Sequence, residues 1–302
     1  MFRRYRFIFA KIIKLIMNIL ITGSSGFIGS NLIKTLNKLE LNIYLLNRGI
    51  KSIKKNCQNI TWINKSLEDL ELNDFIGMEI VIHLAAKGVS PKKASIEEMN
   101  LINAKMSLKL IKLALKAGVR RFISTGTCLE YGQEADKWIK VPPYASLKPV
   151  TPYAKSKAES FKLLNEFAYL NEIEFYYGRI FSAYGEGQYE KNFWPSLKIA
   201  ADSGEDFHMT SGEQIRDFIL VNDVANHLKG AIFRSDLKKG LPFVVNIGSG
   251  KGTKLKDFAE SQWKKFNAKG KLIIGSIKSR PNEIKRMVAN IEGLNTNLKG
   301  SL

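Results

Sequence analysis

The sequence predicts an α/β fold in which a doubly wound parallel sheet is followed by a smaller C-terminal substrate-binding part. Two observations indicate this fold. Over residues 17–180, short apolar runs alternate with stretches whose apolar residues recur at helical spacing, and such alternation builds a parallel sheet with helices on both faces. The first apolar run leads directly into TGSSGFIG at 22–29, a glycine-rich turn typical of a strand-to-helix connection that binds phosphate.

Each expected strand of this sheet is short and apolar. We predict strands at 17–21, 41–46, 60–63, 79–86, 120–125 and 173–180. Helices are predicted directly after the glycine turn, at roughly 95–117 and at 153–171, where apolar residues line one face. Sheets of this kind bind ligands outside the carboxyl ends of their strands, so the functional residues are expected at that edge.

Beyond about residue 180 the alternation weakens into loops and short helices. We therefore divide the chain into a basic extension at 1–16, a dinucleotide-binding domain at 17–180 and a mainly substrate-binding part at 181–302. A strand near 243–247, FVVNI, is expected to return to the main sheet.

Composition narrows the class of protein. The net charge is +19, but the lysines are scattered along the chain rather than interleaved with aromatic residues in one stripe, so nucleic acid is not an expected partner. Cys57 and Cys128 are too few for a disulfide framework, which indicates a reducing, cytoplasmic location. No metal site is predicted.

The first sixteen residues, MFRRYRFIFAKIIKLI, combine five positive charges with apolar residues at helical spacing. One interpretation is a basic amphipathic helix that contacts a membrane surface weakly. The segment is too short and too charged to span a membrane. The other interpretation, which we favour, is that translation starts at Met17 and the upstream start is misassigned.

Bare backbone at the glycine turn suits a dinucleotide pyrophosphate. One glycine permits the tight turn, the next lets backbone approach the phosphates, and the third lets the helix pack on the strand. The residues expected to hold the dinucleotide are Gly23, Ser24, Ser25, Gly26, Phe27, Ile28 and Gly29 in the turn, Asn47 and Arg48 after the second strand, and Leu84, Ala85 and Ala86 at the end of the fourth.

The end of the second strand predicts the choice of cofactor. NAD-preferring sites usually carry an acidic residue there, bonded to the adenosine ribose 2′-hydroxyl. This chain has Asn47–Arg48, with Lys51, Lys54 and Lys55 close behind and no carboxylate before Glu68. An arginine can accommodate a 2′-phosphate, so NADP(H) is favoured over NAD(H). In the alternative, Asn47 bonds the ribose, Arg48 faces solvent and NAD is accepted.

The stretch TPYAKSK predicts the catalytic pair. Tyr153 and Lys157 lie four residues apart at the start of a helix, hence on one face. A nearby ammonium favours the phenolate and is expected to lower the tyrosine pKa, and a tuned tyrosine can exchange a proton with a carbonyl or alcohol oxygen. Upstream, STGT at 124–127 ends a strand with hydroxyls that could bond the same oxygen.

With these motifs in this order, the sequence resembles the extended short-chain dehydrogenase/reductase family of nucleotide-sugar epimerases, dehydratases and ketoreductases. The resemblance runs from Met17 to about residue 290. Its marks are TGSSGFIG, VIHLAA, Asn103 in NAKMSLKL, STGT, YAKSK, RIFSAYG, RDFILVND and RPNEIKRM.

The resemblance implies a role for each matching residue. Tyr153 is the acid/base and also contacts the cofactor, Lys157 also bonds the nicotinamide ribose, and Asn103 is a further cofactor-binding residue. Thr127, four residues before Tyr131–Gly132, matches the hydroxyl that polarises the reacting oxygen, and Thr125 is its rival.

For the substrate, the resemblance implies that Arg216 binds the diphosphate, Arg280 makes a second nucleotide contact and Asn192 binds substrate. It also implies a homodimer formed through the helices that flank the catalytic sheet.

Two departures from the family pattern narrow the reaction. Relatives that dehydrate nucleotide sugars carry an Asp-Glu pair directly after the threonine, where this chain has Cys128–Leu129. Relatives that both epimerise and reduce use a cysteine and a distant histidine, which Cys128 and His208 match poorly because Cys128 stands only one residue after Thr127.

We therefore expect an NAD(P)-dependent oxidoreductase that reduces a keto-sugar, with the 4-keto position favoured. The first alternative is a C4-epimerase with tightly held NAD. An alternative of another class is a non-catalytic dinucleotide-binding or membrane-surface scaffold.

Overall fold

A computed structural model describes residues 16–48, 59–89, 94–279 and 283–294. Its strands are β1 (Met17–Thr22), β2 (Leu41–Leu46), β3 (Ile60–Ile63), β4 (Ile80–His83), β5 (Arg121–Thr127), β6 (Glu174–Ile180), β7 (Ser182–Tyr184), β8 (Phe207–Met209), β9 (Ile215–Arg216), β10 (Phe218–Leu220), β11 (Phe243–Ile247), β12 (Thr253–Lys254), β13 (Leu272–Ile274) and β14 (Arg286–Met287).

Its α-helices are α1 (Phe27–Leu36), α2 (Ile96–Asn100), α3 (Ser107–Lys116), α4 (Pro152–Leu170), α5 (Phe193–Ser203), α6 (Val221–Phe233) and α7 (Leu255–Lys265). A π-helix spans Leu101–Met106, and short 3₁₀ helices span Leu72–Phe75, Cys128–Glu130 and Gly132–Lys137. In the part of the chain described, no helix is long and apolar enough to cross a membrane.

Seven parallel strands form the central sheet, in the order β3-β2-β1-β4-β5-β6-β11. The order reverses between β1 and β4, which creates the crevice where such sheets bind their ligand. One apolar core lies between the sheet and α1 and α6, and a second lies between the opposite face and α3 and α4. The predicted fold class is therefore confirmed.

The strand at 243–247 pairs with β6 and extends this sheet. The rest of the C-terminal half forms three small sheets, with orders β12-β9-β14, β10-β7 and β13-β8. The division of the chain into two functional parts stays a prediction.

Two elements differ from the sequence prediction. The strand expected at 79–86 ends at His83. The Leu84 N–H still bonds the Thr22 carbonyl oxygen, but the Ala85 N–H bonds the Thr22 side-chain oxygen and leaves the ladder. The helix expected at 95–117 is interrupted by the π-helix, and π-segments often stand at functional sites.

Candidate active site

The glycine turn packs tightly on its surroundings. Gly23 has a φ of +72°, a conformation that favours glycine. A Cβ on Gly23 would lie 2.5 Å from the Ala85 nitrogen, and a Cβ on Gly29 would lie 2.2 Å from the Gly23 oxygen. Glycine at these two positions therefore lets the turn lie against both the loop after β4 and the start of α1.

The start of α1 is suited to an anion. Its N-cap, Gly26, has no side chain to bond the first turn, and that turn carries no acidic residue. Ser25 is exposed, whereas Phe27 and Ile28 are half-buried. The free N–H groups and the positive end of the helix dipole fit a pyrophosphate, so the residues present suit a dinucleotide.

Ser24 joins the glycine turn to the end of β2. Its buried Oγ donates a hydrogen bond of 3.1 Å to the Leu46 carbonyl oxygen. Asn47 follows and donates its N–H to Ile63 O at 3.0 Å, and the side chain of Arg48 is exposed. Both residues therefore stand beside the turn, while the three lysines at 51, 54 and 55 lie outside the described residues.

Asn103 clamps the loop after β4 to α4. Its Oδ1 accepts Lys87 N–H at 2.8 Å, and its Nδ2 donates to Lys87 O at 3.0 Å and to Ser156 Oγ at 2.9 Å. Ser156 Oγ in turn donates to Tyr153 O at 2.8 Å. The side chain thus shapes the crevice lined by residues 84–86, and its direct contact with a cofactor stays a prediction.

His83 joins the same framework, which sequence reasoning missed. Its Nδ1 lies 2.7 Å from Thr22 Oγ1 and its Nε2 lies 2.7 Å from Ser107 Oγ. Ser107 Oγ donates to Asn103 O, so it accepts from an Nε2–H, and the network assigns the ring its neutral Nε2–H tautomer. Burial, followed by the positive charge of Lys157, lowers the pKa of His83 from 6.5 to about 3.

The catalytic pair lies at the start of α4. Thr151 caps this helix by accepting Ala154 N–H at 3.2 Å, and Pro152 occupies its first turn. Tyr153 is half-buried, and Lys157 is 3% exposed. The helix therefore presents both side chains from one face, one turn apart.

The expected lowering of the tyrosine pKa is wrong for this structure. Burial raises the pKa of the Tyr153 phenol above its ordinary value, and the charges of Glu130 and Cys128 raise it further. Burial lowers the pKa of the Lys157 ammonium, and Glu130 opposes that shift. Desolvation of the phenolate is the largest cause of the raised Tyr153 pKa.

Of the two candidate threonines, Thr127 begins the turn that faces the tyrosine. It is the last residue of β5, and its Oγ1 accepts Leu129 N–H at 3.3 Å. The turn that it caps contains Cys128 and Glu130, the two groups that act on Tyr153. Thr125 lies earlier in the strand, where it pairs with Gly178 of β6, and is 8% exposed.

Behind this turn lies a buried ion pair. Glu130 Oε2 accepts from Arg179 Nε at 2.7 Å, and both side chains are at most 1% exposed. Glu130 Oε1 accepts Thr127 N–H at 2.8 Å. Sequence reasoning missed this pair, although the spacing T-x-x-E from Thr127 to Glu130 is that of a capping box.

The expected substrate residues are only partly within the described chain. Arg216 Nη2 lies 3.6 Å from Glu283 Oε1, and Nη1 donates to Ile215 O. Burial lowers its pKa, while Glu283, Cys128 and Asp136 raise it, so Arg216 lies near the Thr127 turn. Asn192 is half-buried at the N-cap of α5. Arg280 lies outside the described residues.

The cysteine–histidine alternative gains no support. The Cys128 thiol is buried, which raises its pKa to about 12, so it is a poor proton donor and acceptor at neutral pH. His208 is exposed on β8, where its Nδ1 bonds Ser276 Oγ at 3.0 Å. In the described ranges, no three His, Cys, Asp or Glu side chains form a group that could hold a metal.

A family model now identifies the chain: the model of the NAD dependent epimerase/dehydratase family matches residues 19–248. The protein belongs to this family. CDP-abequose synthase of Salmonella typhimurium is 29% identical over 293 residues, which cover 93% of this chain and 91% of that protein.

Solved structures of epimerase/dehydratase family members share the fold. UDP-N-acetylglucosamine 4-epimerase from Methanobrevibacter ruminantium M1, solved with UDP-N-acetylmuramic acid, has a TM-score of 0.82 and 25% identity over 92% of this chain and 91% of that one. MoeE5, solved with UDP-glucuronic acid and NAD, has a TM-score of 0.80 and 26% identity over 92% and 91%. The chain thus belongs among NAD-dependent enzymes that modify nucleotide sugars.

Proposed function

We propose that this family member reduces a keto group of a nucleotide-activated sugar, with the 4-keto position favoured, and that Tyr153 supplies the proton. One observation carries the proposal. The half-buried Tyr153 and the buried Lys157 extend from the first two turns of α4, beside the turn that Thr127 begins. The glycine turn ends β1 at the same edge of the sheet, so cofactor and acid can meet there.

Each side chain has a defined task in this reaction. A bound reduced nicotinamide dinucleotide would supply the hydride. Tyr153 donates the proton to the carbonyl oxygen as it becomes an alcohol, and Thr127 O–H donates a hydrogen bond to the same oxygen. Lys157 bonds the ribose and stabilises the phenolate that Tyr153 becomes. The buried, protonated phenol suits this direction, because a general acid must hold its proton at the start.

The nucleotide half of the substrate would bind on the C-terminal part. The planar guanidinium of Arg216 can bond two oxygens of a diphosphate. Its ion pair with Glu283 is loose, at 3.6 Å, so an anionic substrate can displace the Glu283 carboxylate. Asn192, and Arg280 outside the described residues, are the other proposed contacts. The names of CDP-abequose synthase and of the UDP-sugar complexes support a nucleotide sugar as the class of substrate.

C4-epimerisation is the second candidate, and relatives named as 4-epimerases favour it. An epimerase oxidises and re-reduces the same carbon, so its cofactor is expected to stay bound through purification. A reductase consumes its cofactor. The same catalytic residues serve both reactions.

We further propose NADP(H) as the preferred cofactor, because Arg48 and Asn47, rather than a carboxylate, follow β2 beside the glycine turn. NAD in complexes of neighbouring proteins favours the opposite choice, in which Asn47 bonds the ribose. Titration of both dinucleotides separates the two.

A homodimer, a cytoplasmic location and a weak membrane contact through residues 1–16 stay predictions. The dimer is proposed from the family resemblance alone, through the helices that flank the catalytic sheet. A monomeric mass in solution would contradict the dimer. Residues 1–15 lie outside the described chain.

The deciding experiment is a panel of 4-keto nucleotide sugars, assayed by loss of absorbance of the reduced nicotinamide. Net consumption of reduced cofactor is expected with at least one of them. If none is reduced, and instead cofactor co-purifies and 4-hydroxy sugars interconvert, the protein is an epimerase. A protein that does neither would be the non-catalytic alternative.

A further inference from the structure

Glu130 closes a capping box around Thr127. Its carboxylate is fully buried, and Oε1 accepts Thr127 N–H at 2.8 Å. In return, Thr127 Oγ1 accepts Leu129 N–H at 3.3 Å. Because the hydroxyl oxygen accepts a backbone N–H, its own hydrogen is available to another oxygen. The box therefore holds the Thr127 hydroxyl oxygen in place at the start of the turn.

We propose that Glu130 is a positioning residue: its buried carboxylate holds the turn that presents the Thr127 hydroxyl to the reacting oxygen of the substrate. This inference rests on the proposed function, in which Thr127 bonds that oxygen. Both carboxylate oxygens are occupied by protein donors, so Glu130 acts through Thr127 and not on the substrate.

Arg179 anchors the carboxylate. Its Nε donates to Glu130 Oε2 at 2.7 Å, and its Nη1 donates to Pro143 O at 2.9 Å and to Tyr131 OH at 3.2 Å. The Phe161 ring lies 4.3 Å from the guanidinium carbon. Replacing such a pair by apolar side chains is often neutral for stability, so what the charged pair adds here is a fixed acceptor beside Thr127.

A glycine leaves room for this carboxylate. A Cβ on Gly126 would lie 2.3 Å from Glu130 Oε1 and 2.5 Å from Tyr177 OH. The Tyr177 hydroxyl donates to the same Oε1 at 2.9 Å. A side chain at Gly126, between the two candidate threonines, would collide with the Glu130 carboxylate, which explains the glycine at this position.

The negative charge of Glu130 also acts on Tyr153 and Lys157. Glu130 raises the pKa of Tyr153, together with burial and Cys128, and opposes the lowering of the pKa of Lys157 by burial. Two further titratable groups interact with the pair: His83 with Lys157, and Tyr177 with Tyr153. Removal of the carboxylate charge therefore makes both members of the pair lose their protons at lower pH.

The first test replaces the carboxylate by an amide of the same shape. Glu130→Gln is expected to lower kcat for keto-sugar reduction roughly 100-fold, the scale of one misplaced donor to a reacting oxygen, with unchanged dinucleotide affinity. The alkaline limb of kcat should move to lower pH, because the Glu130 charge raises the pKa of Tyr153 and opposes the lowering of the pKa of Lys157. Glu134→Gln is the matched control, because Glu134 pairs with Lys137 and Lys148 instead of Thr127. Wild-type kcat and pH profile in Glu130→Gln, or equal losses in both variants, would overturn the proposal.

A second measurement needs no substrate. Hydrogen exchange of the Thr127 amide should be about tenfold faster or more in Glu130→Gln than in wild type and Glu134→Gln, because a hydrogen bond is weakened. Equal exchange overturns the positioning role. Faster exchange in a protein that reduces no keto-sugar overturns the proposed function and leaves the positioning of Thr127 standing.

If Glu130→Gln does not fold, Tyr177→Phe provides the test, because it removes one hydrogen bond to Oε1 and keeps the charge. It should speed exchange of the Thr127 amide and lower kcat with an unchanged alkaline limb. Wild-type values for both would overturn the proposal.

Discussion

Lowering the pH should destabilise this protein through His83. The ring is neutral in the fold, where burial and Lys157 lower its pKa from 6.5 to about 3. Because the folded-state pKa lies below the unfolded value, the stabilisation is complete above pH 6.5 and is lost as pH falls from 6.5 towards 3. The imidazolium has no place in the network, since Nδ1 must accept from Thr22.

The magnitude follows from the shift. At pH 5 the unfolded histidine is almost fully protonated and the folded one is neutral, so about 1.5 pH units at about 1.4 kcal/mol each remove roughly 2 kcal/mol of the free energy of unfolding. That is a large share of the stability of an ordinary domain. His227, whose pKa burial also lowers, adds a loss of the same sign.

The assay isolates His83 by substitution. Urea unfolding of wild type and His83→Gln is followed by circular dichroism at pH 8, 7, 6 and 5 and constant ionic strength. The variant is less stable at pH 8, because it cannot keep both hydrogen bonds, but its curve should be flatter by about 2 kcal/mol between pH 8 and 5. His208→Gln, at an exposed site, should follow wild type. Parallel curves for wild type and His83→Gln would refute a buried neutral histidine.

Three further outcomes test the catalytic and cofactor assignments. Tyr153→Phe should lower turnover by about 10²–10⁴-fold with nearly unchanged dinucleotide binding, measured by fluorescence titration; wild-type turnover contradicts the role of general acid. Thr127→Val should lower kcat strongly and Thr125→Val much less, because the turn facing the phenol begins at Thr127; the reverse order would exchange their roles. NADPH should bind wild type more tightly than NADH, and Arg48→Ala should erase the difference; a wild type that prefers NADH removes the assignment.

The fold was predictable because strands, helices and the glycine turn each depend mainly on residues close together in the sequence. Each of the six strands expected before residue 180 exists, and the glycine turn joins β1 to α1 as expected. The misjudged element ends depend on distant partners. β4 ends at His83, where Thr22, sixty-one residues away in sequence, accepts the Ala85 N–H with its side chain, and no local pattern contains that contact.

The residues of the site were partly predictable for the same reason. Motif spacing locates Tyr153 and Lys157 on one helix face, but it does not report what else that face is buried against. The ion pair of Glu130 with Arg179 joins residues 49 apart in sequence, and its effect appears only after folding brings β5, β6 and α4 together.

The tyrosine pKa shows why this difference matters for function. From spacing alone, Lys157 predicts a phenolate, the form that removes a proton from an alcohol. In the fold, burial and Glu130 raise the pKa of Tyr153, so the phenol keeps its proton. The protonated phenol is the form that gives a proton to a carbonyl. Motif spacing contains neither the burial of the phenol nor the position of Glu130, and both enter only when β5, β6 and α4 pack together. The direction of the Tyr153 pKa shift is therefore a property of the fold and not of the motif.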